Sequence, residues 1–230
     1  MAESWNSPEK FNREALQWDD NPRRRALALK VANAIITAVE PKKTMHALEF
    51  GCGTGLVTLE ISPLVGSLLA IDTSKEMLGV LQEKIRSAAI SNIKPACLDL
   101  FLPLQQGEPE TKFDLIYSSM TLHHIADTAR FLNRLSTLLL SGSILAIADL
   151  DQEDGLFHDD PEEQVHHGFE RTALAERLQS AGFEAISFTT AFVMEKLNRE
   201  GKNASYPIFL VTAKKSATDR TITPKTGTPS

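Results

Sequence analysis

A glycine-rich turn directly after a short apolar segment is the feature that most constrains what this chain can fold into. Met45–Phe50 reads MHALEF, the pattern of a strand, and leads straight into Gly51–Gly55, GCGTG. Glycine lets the backbone turn tightly and approach a ligand closely. Helix signals follow the turn, and the amides at a helix N-terminus would face the same point. The sequence therefore predicts a strand–turn–helix unit with a ligand site at the turn.

Strand and helix signals alternate along the rest of the chain. Six further strands are predicted, at Leu68–Asp72, Ile93–Leu100, Phe113–Ser118, Ser143–Leu150, Phe183–Met194 and Tyr206–Ala213. Such alternation predicts an α/β fold, doubly wound, with a mostly parallel seven-stranded sheet and helices on both faces. Pro95 cannot donate a hydrogen bond to a neighbouring strand, so we place the third strand at an edge of the sheet.

Helix boundaries follow from capping and breaking residues. The first predicted helix begins at Asn21 with Pro22 and ends before Pro41, and the second begins at a capping-box pair formed by Thr73 and Glu76. A third helix is predicted from Asp127 to Gly142. A fourth contains Leu174 and Leu178 and ends at Gly182. The 230 residues and 42% hydrophobic content suit one domain. We expect an N-terminal arm at 1–20, a domain at 21–213 and a disordered polar tail at 214–230.

Composition narrows the classes of function. No apolar stretch approaches the roughly 18 to 20 residues of a membrane helix, and Met1–Lys10 does not read as a signal peptide. We therefore expect a cytoplasmic protein, with Cys52 and Cys97 as reduced thiols. The net charge of -6 argues against nucleic-acid binding, so no DNA partner is expected. The sequence predicts nothing about oligomeric state.

Acidic residues stand at the ends of three of the predicted strands and indicate what the turn holds. Glu49 stands two residues before the first glycine, where it would repel a pyrophosphate and suit a cation. Leu56 occupies the third glycine position of the dinucleotide fingerprint, which disfavours NAD. Asp72 and Asp99 end the next two strands, and an acid there can accept ribose hydroxyls. The pattern describes a positively charged nucleoside without phosphates, such as S-adenosylmethionine.

The motifs together resemble one enzyme family. Glu49–Gly55 (EFGCGTG), Ile71–Asp72, Leu98–Leu100 (LDL) and Phe113–Ile125 (FDLIYSSMTLHHI) look like those of the class I, seven-stranded S-adenosylmethionine-dependent methyltransferases, in the type 11 or UbiE-like group. The resemblance covers roughly residues 44–213. It implies strand order 3-2-1-4-5-7-6 with the seventh strand antiparallel.

The resemblance also implies the cofactor residues. It assigns the methionine part to the turn and the ribose to Asp72. The adenine part would contact Thr73, Met77, Asp99 and Leu100, and Ser118 and Ser119 would end the fourth strand beside the sulfonium. The expected cofactor-binding set is Trp18, Glu49, Gly51, Cys52, Gly53, Gly55, Asp72, Thr73, Met77, Asp99, Leu100 and Ser118. By analogy, Trp18 and the arm form a lid over the cofactor; the alternative is that Trp18 is a hydrophobic staple for the following helix.

Methyl transfer is a displacement that needs positioning first and a base only for some acceptors. His123 and His124 are the candidate bases, since imidazole titrates near neutral pH. Their alternative roles are packing under the cofactor and capping the next helix. The acids and histidines of 149–167 fit a calcium or magnesium site poorly, so we expect no metal. Instead, His166, His167 and Phe169 are expected to shape the acceptor pocket.

The sequence thus predicts an S-adenosylmethionine-dependent methyltransferase that modifies an O, N, S or C atom of a small molecule by in-line displacement. Three alternatives stay open: a protein or RNA methyltransferase, an NAD-dependent oxidoreductase, and a non-catalytic protein that binds S-adenosylmethionine.

Overall fold

The computed structural model describes residue 5 and residues 8–101 and 112–217. Its seven strands form one sheet in the order β3-β2-β1-β4-β5-β7-β6. They are β1 (His46–Phe50), β2 (Ser67–Asp72), β3 (Ile93–Cys97), β4 (Phe113–Ser119), β5 (Leu139–Leu150), β6 (Phe183–Leu197) and β7 (Asn203–Lys215). β7 is antiparallel to β5 and β6, and the other pairs are parallel. The predicted fold class and strand order are confirmed.

The described residues form six α-helices beside the sheet: α1 (Pro8–Glu14), α2 (Pro22–Val39), α3 (Thr58–Ile61), α4 (Lys75–Ser87), α5 (Thr128–Leu138) and α6 (Arg171–Ser180). α1 continues into a 3₁₀ turn, Ala15–Asp20. α2 begins where predicted, because Asn21 accepts a hydrogen bond from the Arg23 amide and Pro22 fits the first turn. α2, α3 and α4 cover one face of the sheet, and α5 and α6 cover the other.

Both faces of the central strands are apolar because both are covered. In β4, Leu115 and Tyr117 pack in the layer of α2, whereas Ile116 packs in the layer of α5. Successive side chains of a strand point to opposite faces, so a strand between two layers reads as a continuous apolar run. The carboxyl ends of the parallel strands then meet at one edge of the sheet, where ligands bind in this architecture.

The predicted end of the helix before β5 was wrong. α5 ends at Leu138, and Gly142 lies within β5 instead of ending the helix. The physical reason is tertiary, since Leu139 already pairs with Phe113 of β4 and Gly142 takes a positive φ of 78° inside the strand. Pro95 lies in the edge strand β3, as its missing N–H donor predicts.

The cap of α4 and the end of the sheet also differ from expectation. Ser74, and not Thr73, caps α4 by accepting a hydrogen bond of 3.2 Å from the Met77 amide. β7 runs to Lys215, so the first two residues of the predicted tail are paired strand, and the tail from 218 on lies outside the described residues. No helix among the described residues is long and apolar enough to cross a membrane.

Candidate functional site

A cavity opens at the carboxyl edge of the sheet, over the ends of β1, β2 and β4. Of the predicted site residues, those that line it are Trp18, Glu49, Gly51, Cys52, Gly53, Asp72, Thr73, Met77, Asp99, Leu100 and His124. Six others that the structure describes are not in the lining: Gly55, Ser118, His123, His166, His167 and Phe169. The cavity thus brings together most of the predicted cofactor residues and one of the two predicted bases.

The glycine turn forms the floor of the cavity, and its first glycines are needed for different reasons. Gly51 has a φ of 65°, and a Cβ there would overlap the side chain of Thr121, which follows β4. Gly53 has a φ of 53°, but no described atom lies within 4 Å of where its Cβ would stand. The backbone at Gly53 is therefore open to a ligand, whereas Gly51 lets two strand ends approach each other.

Asp72 fastens the turn to the end of β2. Its Oδ2 accepts a hydrogen bond of 2.8 Å from the Gly53 amide, and its Oδ1 accepts one of 2.8 Å from the Ser74 amide. Burial raises the pKa of Asp72, and the backbone hydrogen bonds partly offset this rise. Each carboxylate oxygen has a second lone pair, so Asp72 can still accept two ligand hydroxyls.

Glu49 is a buried acid on β1, with 2% of its surface exposed. Its Oε2 accepts hydrogen bonds from the Thr58 hydroxyl at 2.6 Å and the Tyr117 hydroxyl at 2.9 Å. Burial raises its pKa from 4.5 to about 8, against the opposing effect of these two hydrogen bonds, and nearby Asp72 adds to the rise. This end of the cavity therefore lacks positive charge and favours a ligand that brings it.

The end of β4 presents Ser119 to the cavity and turns Ser118 away from it. Ser118 is fully buried and donates a 2.8 Å hydrogen bond to the Phe50 carbonyl, which ties β4 to β1. Adjacent residues of a strand face opposite sides. Ser118 thus fixes the spacing of two strand ends, and Ser119 is the residue of the pair that a ligand would meet.

The two adjacent histidines have separate environments. His123 Nδ1 lies 2.6 Å from Asp149 Oδ1, and Asp149 also accepts from the His123 and Leu150 amides at 3.1 and 2.7 Å. A carboxylate only accepts, so His123 donates through Nδ1–H. His124 lines the cavity; burial, and then the neighbouring histidines His123 and His158, hold its pKa well below its ordinary value. His124 is therefore the neutral imidazole available to a ligand.

The predicted acceptor residues lie in the segment 151–170, beside the cavity but outside its lining. The Nε2 atom of His166 lies 2.9 Å from the Ile125 carbonyl, and its ring packs 4.8 Å from the Trp5 ring. Phe169 is buried and bridges to Asp151. His167 lies beside Gly155, where a Cβ would meet its ring. These residues support the position of the segment.

The described residues 8–20 of the N-terminal arm contribute to the cavity lining and bond to the loops around it. Phe11 and Trp18 line the cavity, with their rings 5.8 Å apart. Asp19 accepts a 2.6 Å hydrogen bond from the hydroxyl of Thr54, in the glycine turn. Asn12 accepts one of 2.7 Å from Ser74. The arm is thus bonded to both loops that form the floor and one wall.

The described part of the arm also contacts the segment 151–170, on the opposite side of the cavity. Lys10 forms an ion pair of 2.7 Å with Glu163, and His158 Nδ1 lies 3.2 Å from the same carboxylate oxygen. Burial alone would raise the pKa of Glu163, but the hydrogen bonds from His158 and Lys10 outweigh it and lower the pKa to about 2. Phe11 also packs edge-on at 5.4 Å from His124. The arm therefore bridges the two sides of the cavity.

Several lining residues were missed by the sequence analysis: Phe11, Arg24, Phe101, Thr121 and Phe131. Most of the aromatic ones come from segments whose sequence shows no motif, so their position depends on tertiary packing. Among the described residues, no group of three or more His, Cys, Asp or Glu side chains is arranged to hold a metal ion.

Sheet order and site together define the class: this is a class I S-adenosylmethionine-dependent methyltransferase fold. A family model described as a methyltransferase domain matches residues 22–187, which is most of the chain. The chain belongs to this methyltransferase family, as the sequence motifs predicted.

Relatives and solved structures agree with this placement. An uncharacterised methyltransferase of Schizosaccharomyces pombe is 36% identical over 138 residues, 55% of this chain and 49% of that protein. A malonyl-[acyl-carrier protein] O-methyltransferase of Ilyobacter polytropus is 26% identical over 163 residues, 67% of this chain and 59% of that one. These matches span about half of the curated relatives' length. A SAM-dependent methyltransferase from Aquifex aeolicus has the same fold, with a TM-score of 0.64 and 24% identity. The match covers 91% of this chain and 99% of that one.

Proposed function

We propose that this chain transfers the methyl group of S-adenosylmethionine to an O, N, S or C atom of a small-molecule acceptor. The observation that carries the proposal is a pair of acids, the buried Glu49 and the half-buried Asp72, that line one cavity together with an open glycine turn. S-adenosylmethionine, when bound, supplies a methyl group activated by a positively charged sulfur. Its ribose hydroxyls and its positive charges match what these two acids require.

Most of the predicted cofactor residues have a proposed part in holding the cofactor. Asp72 accepts the ribose hydroxyls through its remaining lone pairs, and the backbone of Gly51–Gly55 receives the methionine part. Glu49 faces the positive charge. Ser118 acts indirectly, by holding the end of β4 against β1. The residues proposed to enclose the adenine are Thr73, Met77, Asp99 and Leu100, and Cys52 completes the floor.

We propose that the arm, residues 1–20, is a lid on the domain that begins at residue 21. Its support is that Phe11 and Trp18 line the cavity while Asp19 bonds to Thr54. A closed lid excludes water from a displacement on the methyl carbon and limits the size of the acceptor. The lid therefore favours a small molecule over a folded protein or RNA.

The proposed work of the side chains is mainly positioning. The acids and the turn orient the methyl donor, and the aromatic lid holds the acceptor in line with it. Where the acceptor must lose a proton, His124 accepts it, because its lowered pKa keeps the ring neutral at physiological pH. We propose that His123 holds His124 in place rather than touching the acceptor, since it is bonded to Asp149 and its ring centroid lies 4.1 Å from that of His124.

Calorimetry and methyl-label transfer test the proposal together. The purified chain is titrated with S-adenosylmethionine, S-adenosylhomocysteine and NAD, and is then incubated with methyl-labelled S-adenosylmethionine and a metabolite extract. We expect binding of the first two ligands and label in small molecules. Binding of NAD alone would support an oxidoreductase, label in protein or RNA would change the acceptor class, and binding without any transfer would indicate a non-catalytic protein.

A further inference from the structure

Glu49 is a buried acid whose hydrogen-bond partners are hydroxyl groups. Both hydroxyls, from Thr58 and Tyr117, donate to the same oxygen, Oε2. No described Lys, Arg or His side chain forms a hydrogen bond or ion pair with Glu49. The titratable groups that face it are Tyr117 of β4, Asp72 of β2 and Cys52 of the glycine turn, and none of them carries positive charge when it ionises.

The cations near the cavity are engaged elsewhere. Arg24 lines the cavity, but its guanidinium forms a 2.8 Å ion pair with Glu14 and lies 3.6 Å over the Trp18 ring. Lys84 forms a 2.5 Å ion pair with Asp19 and donates to the Thr54 carbonyl. Neither interaction supplies a counter-charge for Glu49.

A buried carboxylate without a counter-charge is unstable relative to the neutral acid. Two donated hydrogen bonds stabilise the charged form, but they do not replace a cation. In agreement, the pKa of Glu49 is raised to about 8, mainly by burial. A ligand that places positive charge beside this carboxyl group would reverse the balance, because an adjacent cation favours the ionised form.

We propose that Glu49 is a neutral acid in the empty pocket and gives up its proton when a cationic ligand enters, so that the pocket selects its ligand by charge. In this step the O–H bond of the Glu49 carboxyl group breaks, the proton passes to buffer, and the carboxylate faces the ligand's positive charge. The inference rests on the proposed function, since the expected ligands are S-adenosylmethionine, which carries a sulfonium and an α-ammonium group, and S-adenosylhomocysteine, which carries the α-ammonium group alone.

The inference sets the number of protons released and its pH dependence. With a pKa of about 8 in the empty protein, binding should release about nine-tenths of a proton near pH 7 and about one-tenth near pH 9. The affinity for S-adenosylmethionine should accordingly increase by up to tenfold per pH unit below about pH 8 and then level off.

Isothermal titration calorimetry measures this release directly. The heat of binding is measured at each pH in two buffers of different ionisation enthalpy, and its dependence on the buffer gives the number of protons. The ligand's own α-amino group titrates near pH 8 as well. Glu49→Gln, titrated with the same ligands, subtracts that contribution, because the amide cannot ionise.

Tyr117→Phe is a second, conservative variant that keeps the ring and removes one hydroxyl donor from Glu49. Losing this donor destabilises the carboxylate, so release should persist near pH 7 and its midpoint should move to higher pH. This variant tests the same carboxyl group even if Glu49→Gln does not fold.

The outcomes separate the inference from the function it rests on. Release by the natural protein that is absent from Glu49→Gln, or whose midpoint rises in Tyr117→Phe, supports the inference. Binding of S-adenosylmethionine with a heat that does not depend on the buffer, or equal release by Glu49→Gln, overturns it and leaves the proposed function standing. No binding of either ligand overturns both.

Discussion

Gly51 and Thr121 meet where the glycine turn passes beneath the end of β4, and this contact explains a requirement that a motif alone does not. Gly51 and Gly53 both have positive φ, but only at Gly51 would a Cβ overlap a neighbouring side chain. The two positions therefore form a matched pair. A substitution at Gly51 reports backbone strain together with overlap, whereas a substitution at Gly53 reports backbone strain alone.

We expect Gly51→Ala to destabilise the unliganded protein more than Gly53→Ala does. Both variants place alanine in a left-handed conformation, which costs about 1–2 kcal/mol. Gly51→Ala adds the overlap with Thr121, for a further penalty of about 1–3 kcal/mol. Urea denaturation without ligand measures both free energies of unfolding. Equal losses in the two variants would show that the overlap relaxes freely.

The two histidines predict opposite phenotypes. His124→Ala should lower kcat by about 10²-fold or more for an acceptor that loses a proton, with little change in cofactor affinity. His123→Ala should instead destabilise the fold by about 1–3 kcal/mol, because the buried Asp149 loses its side-chain donor and keeps only its two amide donors. Turnover and denaturation of both variants test this. Full turnover by His124→Ala would remove it as a base.

At the scale of elements, the contacts made by the arm are what sequence reasoning could not supply. The motifs of β1, β2 and β4 are local, so their strand-end residues could be assigned from spacing. The contacts of Asp19 with Thr54 and of Lys10 with Glu163 join residues 35 and 153 positions apart, and no local pattern encodes them. The same limit explains the wrong prediction that a helix ends at Gly142. The pairing of β5 with β4 outweighs the local tendency of a glycine to end a helix.

Single changes in the arm should affect the two sides of the cavity separately. Asp19→Ala removes the hydrogen bond from Thr54 and the ion pair with Lys84, and should weaken cofactor binding by about 1–2 kcal/mol, or roughly tenfold. Lys10→Ala removes the ion pair with Glu163 and should raise the acceptor KM while leaving cofactor affinity unchanged. Calorimetry and steady-state kinetics distinguish them. A lid without function predicts no change in either quantity.

The whole molecule owes its predictability to its sheet. Two-sided burial makes each central strand a continuous apolar run, and Pro95 marks an edge, so strand number, fold class and one edge followed from the sequence. The resemblance supplied the complete order. The aromatic part of the cavity lining could not be predicted, because residues such as Phe11 and Phe131 reach the cavity only through the packing of separate helices.

The buried acid also affects the stability of the entire fold. The pKa of Glu49 is raised from 4.5 to about 8, so the folded state binds more protons than the unfolded state between these values. Its stabilising contribution is therefore complete below about pH 4.5 and is lost as the pH rises to about 8. Between pH 5 and pH 8, the unliganded protein should lose about 2 kcal/mol or more relative to Glu49→Gln. If the free energy of unfolding changed equally with pH in the two proteins, the result would contradict this.

The central claim is that the two strand-end acids and the glycine turn hold a methyl donor for transfer to a small molecule. Incubation with methyl-labelled S-adenosylmethionine and a metabolite extract, followed by separation of small molecules from protein and RNA, tests it most directly. We predict label in the small-molecule fraction that is lost when Asp72→Ala replaces the natural protein. Label confined to macromolecules, or transfer that Asp72→Ala leaves undiminished, would contradict the account.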